Sequence, residues 1–96
     1  MYKNEKLLAE FSTRAVEITN GFRMDFETWS RDHPGESPDT YLKKVYSVLR
    51  EELADAAANV LRKAMEKGVD NIEKLMNGIQ VITGEVVQEM RRKMPG

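Results

Sequence analysis

The chain has 96 residues, 41% hydrophobic and 32% charged, and its fifteen Lys and Arg against sixteen Asp and Glu leave a net charge of -1. That size and mix fit one folded domain spanning residues 1–96, and the near-neutral balance argues against a protein that grips nucleic acid chiefly through its phosphates. The absence of cysteine excludes disulfide frameworks, thiolate metal sites and cysteine nucleophiles, and no apolar run approaches the roughly 18 residues that cross a bilayer.

The opening Met1-Tyr2-Lys3-Asn4-Glu5-Lys6 leads into an amphipathic stretch rather than an apolar one, so neither a secretory leader nor a membrane partner is expected. A cytoplasmic location is the default expectation. Prolines stand only at Pro34, Pro38 and Pro95, leaving long stretches free of the strongest helix breaker. In the first, Leu8, Phe11, Ala15, Ile18, Phe22, Phe26 and Trp29 recur every three or four residues, which predicts a helix over about 4–30 with these residues facing the core. Gly21 is its weak position, by roughly 1 kcal/mol against alanine.

A loop is expected over about 31–37, where Pro34 biases His33 away from helical backbone and Gly35 permits a turn. Ser37 as N-cap, Pro38 at the first helical position and Asp39 in the first turn then open a second helix over about 38–67. Its primary stripe is Leu42, Val45, Leu49, Leu53, Ala56, Val60 and Ala64. Tyr41, Tyr46, Val48, Ala57, Leu61 and Met65 widen the apolar surface, so two faces of this helix need covering.

Gly68 suits a helix end with positive φ, and Asp70 is a plausible cap for a third helix over about 70–94. There Ile72, Leu75, Met76, Ile79, Ile82, Val86 and Met90 share one side, and Arg91, Arg92 and Lys93 complement the C-terminal partial charge. The β-branched run 79–87, with Thr83-Gly84 in its middle, leaves a hairpin as the alternative for residues 77–87. Helix is the better reading, since Thr-Gly lacks the preferred Asn-Gly or Asp-Gly turn chemistry and the three-four spacing continues from Ile72 to Met90. Gly78 and Gly84 then become weak or close-packing points.

The fold class is all-α. A second helix of roughly 45 Å at 1.5 Å per residue exceeds the diameter of ~30 Å expected of a compact domain this size. The expected architecture is therefore an elongated three-helix bundle, or a helical hairpin with an arm, completed by homo-oligomerisation. A symmetric dimer is the commonest way to close a surplus apolar stripe.

Few constellations carry chemistry. His33, the only histidine, lies with Asp32 and Glu36 in a Pro/Gly loop that holds a metal poorly. There is no phosphate-cradling glycine loop, dinucleotide fingerprint, nucleophile elbow or Glu-x-x-His pair. The carboxylate pairs Asp25/Glu27, Glu51/Glu52/Asp55 and Glu85/Glu89 read as solvated helix faces, with Glu10–Arg14, Glu27–Arg31, Asp70–Lys74 and Glu89–Lys93 as i,i+4 ion pairs. No cofactor, metal or enzymatic activity is expected.

Two groups remain as binding candidates. Phe22, Phe26 and Trp29 flank the loop opposite Tyr41 and Tyr46, giving one aromatic-rich end; core packing accounts for them, and anchoring a partner is the functional alternative. Lys43, Lys44, Arg91 and Arg92, with Arg62 and Lys93, are the candidate basic contacts. The sequence thus points to a small non-enzymatic helical interaction protein (adaptor, inhibitor, chaperone or assembly component) that contacts another protein and itself as a homo-oligomer. The alternative is a helical nucleic-acid or nucleotide-binding regulator using the basic residues of helices two and three.

Overall fold

The start of the second helix is built as its sequence demands. The Ser37 hydroxyl accepts the Thr40 N–H at 3.4 Å and Pro38 occupies the first turn. The computed structural model describes residues 3–95 and places three helices there, α1 (Asn4–Asp32), α2 (Pro38–Lys67) and α3 (Ile72–Lys93). Residues 77–87 lie inside α3, so the hairpin alternative is set aside. The helical spacing of Leu75, Ile79 and Met90, four and then eleven positions apart on one side, wins over local β-branching because all three side chains are buried.

Two boundaries differ from expectation. The first helix runs on to Asp32, where the His33 imidazole reaches back to donate from Nδ1 to the Trp29 carbonyl at 2.8 Å. The cap of α3 is Asn71 rather than Asp70: Asn71 Oδ1 accepts the Lys74 N–H at 3.1 Å, and its backbone carbonyl accepts from Asn4 Nδ2 at 3.0 Å. That second bond ties the start of α3 to the start of α1.

The connection α2–α3 turns at Gly68, whose φ of 81° and ψ of 148° lie in a region essentially confined to glycine. The chain then runs up, down and up. Asn71 and Gly78 lie against the beginning of α1, and Arg91 near the end of α3 meets Asp39 at the start of α2, 2.9 Å from Nε to Oδ1. The α3 segment therefore packs along the bundle, which excludes the hairpin-with-arm alternative.

α1 is the middle helix, packed against both α2 and α3, while α2 and α3 touch each other sparsely. This explains why Leu7 as well as Phe11, Ala15 and Ile18 is buried, with Leu8 only half-buried beside it. A helix with two neighbours needs an apolar sector wider than a single stripe. Thr19 is buried but satisfied, its hydroxyl 3.1 Å from the carbonyls of both Ala15 and Val16. The bundle measures 51 × 18 × 16 Å with a radius of gyration of 15.3 Å, the elongated form implied by the helix lengths. Among the described residues no helix is long and apolar enough to cross a membrane.

Candidate functional site

At the end of the bundle formed by the α1–α2 loop, the expected aromatics do converge. Phe26, Trp29 and Tyr41 form a triangle, with Phe26–Tyr41 and Trp29–Tyr41 ring centroids 5.4 Å apart and Phe26–Trp29 6.0 Å apart. The His33 ring lies flat on Trp29, 4.3 Å between centroids and 10° between planes. Phe26 and Tyr41 are 2% and 1% exposed, so they have almost no surface to offer a partner. They hold the loop end of the core, while Phe22 and Trp29 are half-buried at its edge.

Asp25, which its spacing with Glu27 marks only as part of a solvated carboxylate face, organises this end. The Tyr41 hydroxyl donates to Asp25 Oδ2 at 2.6 Å and lies 3.1 Å from the Phe22 carbonyl. Burial, and then the hydrogen bond and charge of Asp25, push the Tyr41 phenol well above its ordinary range. A phenol held protonated in this way is a hydrogen-bond donor joining two helices, not a nucleophile. No group of three or more His, Asp or Glu among the described residues is placed to hold a metal ion.

Lys43, Lys44, Arg91 and Arg92 stand at the same end of the bundle, with acids set among them. Lys43 and Lys44 are exposed on the first turns of α2. Arg91 is engaged with Asp39, whose carboxyl is held below its ordinary range by that hydrogen bond and charge, with a smaller contribution from Lys43. Arg92 pairs with Glu89, and Lys93 lies 3.8 Å from the same carboxylate. Further down the bundle, Glu10 reaches across to Lys63 at 3.0 Å instead of pairing with Arg14, and Arg14 turns to Glu17 at 3.2 Å. Arg91, Arg92, Lys93, Lys63 and Arg14 thus each share their place with an acid.

Tyr46 is the one expected aromatic that stands apart. It is 60% exposed and lies at the mouth of a groove of about 520 Å³ between α2 and α3. Leu53, Ala54 and Ala57 form the α2 wall, and Thr83, Gly84 and Val87 form the α3 wall, with Arg50 and Gln88 at the rim. The groove exists because both helices lean on α1, and because Ala54, Ala57 and Gly84 carry too little side chain to fill the space between them. Nothing lies within 4 Å of where a Gly84 Cβ would stand.

The signal for this groove is present in the sequence as the second apolar face of α2. What one helix's periodicity does not carry is which part of that face meets α3. Outside the groove the same face continues through half-buried Leu61 to Met65, which is 83% exposed. Comparison of the chain with protein-family models, with curated proteins and with solved structures finds no match.

Proposed function

We propose that the protein is a small non-enzymatic interaction protein that works through helix-on-helix contact at its α2–α3 face, as a homodimer. The observation that carries this reading is the apolar groove left open along α2 and α3, continuous with exposed Tyr46 and Met65. An exposed apolar surface of this kind on a small chain marks an interface, since each Å² left in water forgoes about 25 cal/mol. A groove between two antiparallel helices accepts a further helix, as in a four-helix bundle. The same surface, once dimeric, leaves the aromatic loop end outside the contact and available for the half-buried edge of Trp29 to meet another protein.

Light scattering coupled to size-exclusion chromatography over a concentration series tests the reading. The expected mass is twice that of the chain, falling to the monomer for Val87→Glu with helix content unchanged. A monomer at every concentration overturns it. The nucleic-acid alternative loses support from the ion pairs of Arg91 and Arg92. Tight binding of duplex DNA or RNA at low salt, weakening steeply as salt rises, would restore it.

A further inference from the structure

We infer that the second copy seats antiparallel, α2 against α2, with the two-fold axis passing near Ala57. This rests on the homodimer reading and adds the direction and register of the contact.

The first support is the order of charges along α2. Glu51, Glu52 and Asp55 precede the uncharged run Ala56–Leu61, and Arg62 and Lys63 follow it. A parallel pair sets acid against acid and base against base, which is destabilising; an antiparallel pair sets each acid block against the other copy's basic block, twice by symmetry. Lys63 is already held by Glu10, so Arg62 is the base this face offers. Glu51 and Arg62 are both exposed and stand eleven positions apart, about three helical turns, which puts them on one side of α2.

The second support is shape. A surface depression on α2 itself is lined by Tyr46, Ser47, Arg50, Glu51 and Ala54. Positions 47, 50, 51 and 54 are the i, i+3, i+4, i+7 set that forms the hole of a knobs-into-holes contact. The knob is Met65, the most exposed large hydrophobic side chain among the described residues. A two-fold axis near Ala57 brings Met65 of the second copy over that depression and Leu61 of the second copy level with Leu53 and Ala54. The same register brings Glu51 within reach of Arg62 of the second copy. One operation therefore covers Met65 and pairs the charges.

The chain has no cysteine, so single cysteines introduced at Lys44 and Asn59 carry spin labels without background. In an antiparallel pair the two labels at position 44 lie about 40 Å apart, from thirteen residues of 1.5 Å rise on each side of the axis, and the labels at 59 lie close together. Labels that are close at both positions mean a parallel pair, and labels distant at 59 mean a different face. Either result overturns the inference while the homodimer reading stands. In parallel, Glu51→Arg and Arg62→Glu alone should each weaken the dimer about tenfold, and the double exchange should restore it to within about threefold. Failure of the double exchange to restore the dimer overturns the register. A wild-type chain that stays monomeric removes both this inference and the reading beneath it.

Discussion

Leu8 packs into the gap that Gly78 leaves. A Cβ at Gly78 would stand 2.7 Å from Leu8 Cδ2 and 2.8 Å from Cδ1, so the missing side chain lets α1 and α3 approach at this point. Gly21 is the contrasting case, a helical glycine with nothing within 4 Å of its missing Cβ. Gly21→Ala should raise stability by about 0.5–1 kcal/mol through helix propensity alone. Gly78→Ala gains the same propensity but must push aside the end of the half-buried Leu8 side chain, for a net loss of at most about 1 kcal/mol. Urea unfolding of the two variants measures the difference, and adding Leu8→Ala to Gly78→Ala should cost less than the two single losses summed.

Tyr41 makes stability sensitive to alkali. Its phenol is pushed up in the folded chain by burial and by Asp25, whereas in the unfolded chain it ionises near about 10. Below that value both states hold the proton and the linkage is silent. Above it the unfolded state alone releases the proton, so stability falls as pH rises, by up to about 1.4 kcal/mol per pH unit. Tyr41→Phe should lose about 1 kcal/mol at neutral pH with the hydrogen bond. Urea midpoints from pH 9 to 11 should then fall less steeply for the variant than for the parent.

Asp39 carries the opposite sign. Its carboxyl is lowered by the hydrogen bond and charge of Arg91, so its contribution is present above the ordinary carboxylate range and is lost as pH falls through the folded value. A carbon-detected NMR titration should show Asp39 protonating below the ordinary aspartate range, and Arg91→Gln should bring it back towards that range. Salt should do the same in part, because the pair is at the surface.

Gly68 is the backbone position least able to change. With φ at 81° and ψ at 148°, an alanine there is strained whatever space surrounds it, and Gly68→Ala should cost about 1–3 kcal/mol. Thermal unfolding followed by circular dichroism reads the loss. An unchanged midpoint would mean that the connection between α2 and α3 relaxes to another course.

Much of the architecture is legible in the sequence where local chemistry and periodicity agree. Ser37-Pro38-Asp39 marks a helix start by capping, fixed φ and charge together, and the structure begins α2 there. Ile72 to Met90 keeps helical spacing through Thr83-Gly84, and the helix runs through it. The N-cap of α3 was less legible because Asp70 and Asn71 are both capping residues. The bond from Asn4 to the Asn71 carbonyl, across sixty-seven positions, accompanies the choice of Asn71. Tyr41 likewise read as part of a second face of α2, since only the fold reveals that Asp25 and the Phe22 carbonyl are waiting for its hydroxyl. The groove depends on α2 and α3 leaning on the same third helix, which no single helix's pattern encodes.

That shared support also sets an order of assembly. α1 and α2 are joined by a short loop and close on each other locally, whereas α3 must return to the far end of α1 before its side chains find contacts. Contacts of such long sequence separation form late. The expected sequence is a helical hairpin first and α3 last, so substitutions at Leu75 and Ile79 should chiefly speed unfolding, while those at Phe11 and Leu53 should slow folding. α3 also supplies one wall of the groove, through Thr83, Gly84 and Val87, so the groove comes into being only with the last helix to dock.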